Sequence, residues 1–307
     1  MKTVLITGVA GFIGRYVARH FSRQGWQVIG TDNSQPENAP LADLSKYQRL
    51  QLPDLELDSL LQTYKPDVLI HCAGRASVAL SVSDPSPDFY SNTVLTFNIL
   101  DALRLHAPTC KFIFLSSAAV YGNPSKLPVA ETHPTAPISP YGFHKLQSEQ
   151  LCLEFAKIYS QPTASVRIFS AYGAGLRRQV MWDICQKAIS QKNLTLQGTG
   201  NESRDFIHAV DIARAIEIIC DRAPMQGEVY NLGSGQEVTI AKLAATVLIS
   251  LEKNMSLEFS GIISKGDPIN WQADISQIIS IGFTSTIQLK DGIKNFTNWC
   301  KAELGSI

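Results

Sequence analysis

A short apolar strand over residues 2–7 runs directly into Gly8-Val-Ala-Gly11-Phe-Ile-Gly14, and helical periodicity follows from 12 to 24. No other feature restricts the fold as much. Strand, tight glycine turn and helix start is the setting a dinucleotide fingerprint requires. Gly8 allows the turn, Gly11 lets a pyrophosphate approach the backbone, and Gly14 permits close packing of helix on strand. Phe12 and Ile13 open the helix, whose terminal N–H groups would meet the phosphate charge. A second strand, Gln27-Val-Ile-Gly-Thr-Asp32, ends in a carboxylate followed by Asn33. Asp32 is placed to accept hydrogen bonds from a ribose diol and would repel a 2′-phosphate, which favours NAD over NADP. The competing reading is a plain βα turn followed by a surface aspartate, and the placement of Asp32 weighs against it.

The rhythm continues. Strands are predicted at 2–7, 27–32, 48–52, 67–72, 111–116 and 164–169, and helices at 12–24, 56–64, 86–106 and 141–160. Alternation with apolar runs such as Val68-Leu-Ile and Phe112-Ile-Phe-Leu implies a parallel sheet covered on both faces. Ligands then sit at the carboxyl ends of the strands, where Asp32, His71-Cys-Ala-Gly74 and Ser116-Ser117 fall. From about 171 the rhythm fades into short helices and loops. The expected organisation is α/β: a Rossmann-type doubly wound parallel sheet over 1–170, and a smaller mixed α/β substrate-binding lobe over 171–307, with some exchange of chain between them.

Tyr141-Gly-Phe-His-Lys145 follows Ser117 by 24 residues, with Ser139-Pro140 reading as N-cap and first helical position. Four residues apart on a helix, phenol and ammonium share a face. An ammonium about 4 Å away at an effective dielectric of about 20 would lower a tyrosine by roughly three units at most, enough to make it a usable base. His144 is expected on the other side of the helix, and His71 in the core.

Lys+Arg and Asp+Glu are both 27, with no basic run, which argues against a nucleic-acid partner. No apolar stretch reaches 18 residues and no targeting segment opens the chain, so a cytoplasmic protein without a membrane partner is expected. The six cysteines are scattered without a C-x-x-C pair, and the histidines lack ligand spacing, so neither a disulfide frame nor a metal is expected.

Taken together, Thr7-Gly-x-x-Gly-Phe-Ile-Gly14, Asp32-Asn33, Ser116-Ser-Ala-Ala-Val-Tyr-Gly122, Ser139-Pro-Tyr-Gly-x-x-Lys145 and Arg204-Asp-Phe-Ile-His208 with Asp211 resemble the extended short-chain dehydrogenase/reductase family. Within it, the pattern is similar to the NAD-dependent nucleotide-sugar epimerases and dehydratases of the UDP-glucose 4-epimerase type, out to Gly266-Asp-Pro and Gly282-Phe. The resemblance implies that Tyr141 is the catalytic acid/base, that Lys145 binds the nicotinamide ribose and lowers the tyrosine, and that Ser117 hydrogen-bonds the reacting hydroxyl. It assigns Asp54 and Leu55 to the adenine, and Cys72, Ala73, Gly74, Asn92, Ser116 and Phe169 to the lining of the NAD site. It puts Phe169, Ser170, Gln179 and Val180 near the substrate's sugar and diphosphate, with Arg204, Lys265 and Asp267 on the diphosphate side. For Arg204 an ion pair with Asp205 or Asp211 is the alternative.

The implied chemistry is hydride transfer from a sugar carbon to NAD while Tyr141 takes the hydroxyl proton, giving a keto-sugar. Family dehydratases carry an Asp-Glu pair after the Ser/Thr. Here those positions are Ala118 and Ala119. Without a second acid or base, return of the hydride to the other face is the simplest course: epimerisation of a nucleotide-diphosphate sugar, expected at C4. A 4-keto-6-deoxy-sugar reductase consuming NAD(P)H uses the same Ser-Tyr-Lys set and stays open, as does a non-catalytic dinucleotide sensor. Ser170 in place of asparagine, Leu95 in place of glycine, Ser264 in place of an arginine, and Arg177-Arg178 in a loop all depart from the pattern. Those two arginines read as exposed charges or as a site for phosphate or a carboxylated sugar. Family members pair through the helix at 86–106 and the one carrying Tyr141. Here these show Phe97, Leu100, Leu103, Leu146 and Leu153, and a homodimer is the expectation.

Overall fold

The computed structural model describes residues 1–262, 266 and 268–305; Ser264, Lys265 and Asp267 lie outside them. β1 (Thr3–Thr7) leads through the glycine turn to α1 (Phe12–Arg23), β2 (Gln27–Asp32), β3 (Lys46–Arg49), α2 (Glu56–Tyr64) and β4 (Val68–His71). Next come α3 (Val78–Ser83), α4 (Pro85–Phe89), a π-helical turn (Tyr90–Val94) and α5 (Leu95–His106). β5 (Lys111–Ser117), α6 (Pro140–Tyr159) and β6 (Thr163–Ile168) close this run.

Two elements differ from expectation. The third strand lies at 46–49 rather than 48–52, because Lys46-Tyr-Gln-Arg49 is a polar edge strand whose pairing is set by the backbone of β2. The helix expected over 86–106 is broken by the π turn, and α3 precedes it. Pro85 and Pro87 fit only the first turn of a helix, so α4 starts afresh there.

The remaining chain forms β7 (Ser170–Tyr172), α7 (Gln179–Ser190), β8 (Leu194–Leu196), β9 (Ser203–His208), α8 (Ala209–Arg222) and β10 (Gln226–Leu232). It ends with β11 (Glu237–Thr239), α9 (Ile240–Leu251), β12 (Leu257–Phe259), α10 (Ser276–Ser280) and α11 (Leu289–Leu304).

Among the described residues the central sheet has seven strands in the order β3-β2-β1-β4-β5-β6-β10, all parallel. One face packs on α1 and α8 through Val17, Phe21, Ile212 and Ile216. The other packs on α2, α5 and α6 through Leu57, Leu61, Ile99, Leu103 and Phe155. β10 returns to the sheet from well past residue 171. Its Gln-Gly-Glu-Val-Tyr-Asn-Leu mixes polar and apolar residues, so no apolar run announces it. A second core gathers α7, α9 and α11 around Met181, Ile184, Val247, Ile293 and Phe296. A three-stranded sheet, β11-β9-β7, and the pair β12-β8 flank it. Strand order reverses between β1 and β4, which opens a crevice at their carboxyl ends. Among the described residues no helix is long and apolar enough to cross a membrane.

Candidate active site

The crevice begins at the glycine turn. Gly8 has φ +67°, and a Cβ there would stand 2.5 Å from the Ala73 amide nitrogen, so the turn and the segment after β4 touch backbone to backbone. Gly11 is the N-cap of α1, with no side-chain cap and no acid in the first turn. Its free N–H groups therefore face the crevice as an anion site. Asp32 Oδ2 accepts from the Ala10 amide (3.0 Å) and Oδ1 from the Ser34 amide (2.9 Å), which fixes the carboxylate at the mouth with lone pairs to spare. Asn33 Nδ2 donates to Gln51 Oε1 (3.3 Å) beside it. Asp54 accepts from the Glu56 amide (2.9 Å) at the start of α2, and Leu55 is 85% exposed, an apolar side chain offered to a planar group.

On the other side of the switch point, Thr7 Oγ1 holds His71 Nδ1 at 2.7 Å and accepts from the Ala73 amide at 3.4 Å, just past Cys72. Burial, then the charge of Lys145, push the His71 imidazole down to about 3, so it is a neutral core residue. A Cβ at Gly74 would meet Asn92 Oδ1 at 2.8 Å. Asn92 lies in the π turn, donates to the Arg75 and Asp88 carbonyls (3.2 and 3.0 Å), and keeps its buried Oδ1 without a protein partner. An uncapped helix start, a ribose-level carboxylate and an orphaned amide oxygen along one crevice fit a dinucleotide.

The reactive groups stand at the end of β5. Ser117 caps the short turn Ala118–Tyr121, accepting from the Ala119 amide at 3.2 Å. Ser139 Oγ accepts from the Gly142 amide (3.2 Å) and Pro140 starts α6. A Cβ at position 142 would lie 2.6 Å from the Ala119 carbonyl oxygen, so only glycine lets the first turn of α6 rest on the Ser117 turn. That contact sets the Tyr141 phenol beside the Ser117 hydroxyl, which favours its ionised form. The Tyr141 amide is held in turn by Ser81 Oγ at 3.1 Å.

Lys145 differs from the sequence expectation. Its Nζ donates to the Leu115 carbonyl (2.9 Å) and lies 4.8 Å from the Phe114 ring and 5.9 Å from the Tyr141 ring. Burial lowers the ammonium to about 8, against partial relief from Asp88, Cys72, Cys152 and Glu149. Tyr141 is not lowered but raised. Burial of the phenol outweighs the help of the Ser117 hydroxyl and the Arg178 guanidinium, and Asp88 adds to the rise.

A buried polar frame stands behind the pair. Ser116 Oγ donates to Glu149 Oε1 (2.5 Å), and Arg167 grips both Glu149 oxygens (2.9 and 2.7 Å). Burial works against the Arg167 charge, but Glu149 overcomes it and raises the guanidinium further. Arg167 also donates to Tyr121 (2.7 Å), which donates to Asn231 of β10 (2.7 Å). Leu115, Ser116 and Ser117 thus meet Lys145, Glu149 and Tyr141, positions spaced by four along one face of α6.

The segment after β6, the start of α7 and β9 supply the opposite wall. Phe169 is buried edge-on against Trp271, and Ser170 pairs with Phe206 of β9. Gln179 opens α7 with φ +68°, a strained conformation for a non-glycine residue, and Val180 packs into the second core. Arg204 lies 5.5 Å over the Trp271 ring and donates to the Ser203 and Ile269 carbonyls (2.8 and 3.1 Å). The carboxylates weighed as its partners are engaged elsewhere, Asp205 by the Ser234, Gly235 and Ala273 amides and Asp211 by Thr286, Ile287 and Arg214. The two loop arginines part company. Arg177 pairs with Glu303 at 2.7 Å, whereas Arg178 donates across the crevice to the Ala76 carbonyl at 2.9 Å. Sequence reasoning passed over Ser81 and Asp88; nothing local distinguishes them from other helix-face residues.

Residues 4–233 match the model of the NAD dependent epimerase/dehydratase family. The chain belongs to that family. A putative UDP-glucose 4-epimerase of Methanocaldococcus jannaschii is 30% identical over 97% of this chain and 98% of its own length. The UDP-glucose 4-epimerase of Thermotoga maritima, solved with UDP-glucose, superposes with a TM-score of 0.90 at 26% identity, over 98% of this chain and 99% of that one. The UDP-glucuronic acid 4-epimerase of Bacillus cereus, solved with UDP-glucuronic acid and NAD, gives 0.89 at 27% over the same shares. As a member of the epimerase/dehydratase family, this protein uses NAD, and the crevice between β1 and β4 suits it.

Proposed function

We propose that this enzyme interconverts C4 epimers of a UDP-linked hexose through a transient 4-keto-sugar. The observation that carries the reading is the close approach of Gly142 to the Ala119 carbonyl, which sets Tyr141 against the Ser117 turn, whose next residues, Ala118 and Ala119, are buried and carry no acid or base. The UDP-sugar epimerases among its relatives support the choice of nucleotide and carbon.

NAD, when bound, supplies the hydride acceptor and, once reduced, the donor for the sugar carbon. Gly8, Gly11 and the start of α1 hold its pyrophosphate, Asp32 its adenosine ribose, and Asn92 and Lys145 its nicotinamide half. Ser117 donates to the sugar's C4 hydroxyl region and orients it, while Tyr141 accepts the hydroxyl proton as the ketone forms and returns it afterwards. The raised phenol needs the Ser117 hydroxyl and the neighbouring cations to serve as that base. Phe169, Ser170, Gln179, Val180 and Arg204 hold the nucleotide-sugar, the guanidinium of Arg204 facing the diphosphate.

The protein acts as a homodimer in this reading. Phe97 is 43% exposed and packs edge-on against Phe155, whose ring meets that of the half-exposed Tyr159 at a tilt, so α5 and α6 share one apolar surface of the kind that marks an interface. Six free thiols support a cytoplasmic setting.

Proton NMR of the enzyme with UDP-glucose, UDP-glucuronic acid and UDP-N-acetylglucosamine, at catalytic NAD, tests the reading. Appearance of a C4 epimer without net NADH is the expected result. Turnover confined to a 4-keto-sugar with stoichiometric NADH would replace it with a reductase.

A further inference from the structure

The first turn of α6 carries the phenol, and the N–H groups of that turn are satisfied from two places. Pro140 has none to offer. The Gly142 amide donates to Ser139 Oγ (3.2 Å) and the Phe143 amide to the Ser139 carbonyl (3.1 Å), both acceptors lying in the chain directly before the helix. The Tyr141 amide goes elsewhere, to Ser81 Oγ at 3.1 Å, 60 residues upstream on α3. A helix start leaves its N–H groups unsatisfied unless something caps them. Here the cap is divided between a serine next to the helix and one that folding delivers.

Ser81 is itself held. It is fully buried, its amide donates to the Ser77 carbonyl (3.1 Å), and its hydroxyl proton goes to the Val78 carbonyl (2.7 Å). With that single proton engaged, the hydroxyl keeps a lone pair for the Tyr141 amide. Val78 packs into the apolar cluster that holds Ala118, Val120 and Tyr141. The lead-in to α3 is fixed as well, since Asn92 donates to the Arg75 carbonyl (3.2 Å) and Arg178 to the Ala76 carbonyl (2.9 Å). A helix of six residues has little stability of its own, so these contacts hold α3 in place.

We propose that Ser81 is a positioning residue for the chemistry, fixing through the Tyr141 amide where the phenol stands relative to Ser117. The proposal rests on the acid/base role given to Tyr141 above. Gly142 lets the turn come close to the Ala119 carbonyl, but room for approach sets only a limit. The Ser81 hydrogen bond decides where within that limit the turn rests. Without it Tyr141 keeps a buried N–H with no acceptor, which drives the first turn to a new position. A displacement of about 1 Å is enough to cost about 10²-fold in rate.

The test compares two losses on the same helix. Ser81→Ala removes the acceptor at the start of α6. Thr163→Val removes a buried hydroxyl that donates to the Cys152 carbonyl (2.8 Å) further along it. Each deletes one buried hydrogen bond, so a merely structural effect falls on both alike. Ser81→Ala is expected to lower kcat by about 10²-fold with KM little changed, and Thr163→Val to leave kcat as in the wild type. The phenol is followed separately by NMR of the full chain with NAD and 13Cζ-labelled tyrosine, Tyr141 being assigned through Tyr141→Phe. Its resonance is expected to move in Ser81→Ala and to stay in Thr163→Val. Should Ser81→Ala fail to fold, Ser81→Cys, whose sulfur is a weak acceptor, carries both measurements. An unmoved phenol, an undiminished kcat, or equal changes in the two variants would each reduce Ser81 to a packing residue. The phenol readout needs no turnover, so it judges Ser81 even if the wild type failed to epimerise, an outcome that would sink the epimerase reading alone.

Discussion

Lys145→Met should make the protein more stable while destroying its chemistry. The drop of the buried ammonium from the ordinary 10.5 to about 8 corresponds to about 3 kcal/mol by which charging the lysine opposes folding. The sign follows from the native value lying below the unfolded one. The cost is fully present below pH 8, shrinks as pH rises through the native value, and vanishes above 10.5. Methionine has no such cost, but it leaves the Leu115 carbonyl without its donor, a loss of about 1–3 kcal/mol that is the same at every pH. The informative quantity is therefore the change in the variant's advantage with pH. Between pH 7 and pH 9.5 that advantage should fall by about 2 kcal/mol. Urea melts of both proteins at the two pH values, with equal m-values, measure it. An advantage that does not vary with pH would refute the claim that this ammonium is held at a cost.

Tyr141→Phe should lower kcat by about 10²–10⁴-fold with NAD binding retained, and a loss under tenfold by progress-curve NMR would remove the phenol from the role of acid/base. Gly142→Ala forces the start of α6 away from the Ala119 carbonyl, so kcat should drop by about 10²-fold without a matching rise in KM; unchanged kcat would mean the close approach is dispensable. Glu149→Leu strands a buried guanidinium and should cost about 3–5 kcal/mol in urea unfolding. The double variant with Arg167→Met should recover most of that, and purely additive losses would mean the two residues do not act as a pair.

Much of this arrangement is legible in the sequence because it depends on neighbours along the chain. The turn at Gly8, the carboxylate at the end of β2 and the fourfold spacing of Tyr141 and Lys145 are local facts, and parallel topology gathers strand ends at one edge. β10 escapes because an edge strand needs no apolar run. α3 escapes because its six residues lie just upstream of two prolines. The electrostatics of Lys145 escape for a different reason. Proximity alone predicts that the lysine acidifies the tyrosine, but both groups are out of water. The desolvation that decides the outcome comes from Phe114, β4 and α4, which the chain brings there from far away. Asp88 illustrates the same limit, since only folding sets it against His144, 56 residues on.

The contacts of Leu115, Ser116 and Ser117 with Lys145, Glu149 and Tyr141 also bear on how such a chain tolerates insertion and deletion. One residue gained or lost between 141 and 149 rotates the part of α6 beyond it by about 100° against the part before it, so the three contacts can no longer be made together. The connection between the turn at Ala118–Tyr121 and Pro140 is held in its middle, where buried Val129 bridges Ala273 and Glu131 accepts from the Asn231 amide, but Ser125 and Lys126 are exposed. Length changes at the exposed Ser125–Lys126 stretch should therefore be accepted where the helix refuses them, and a lineage of such enzymes can vary that stretch while the spacing inside the helix stays fixed to the residue.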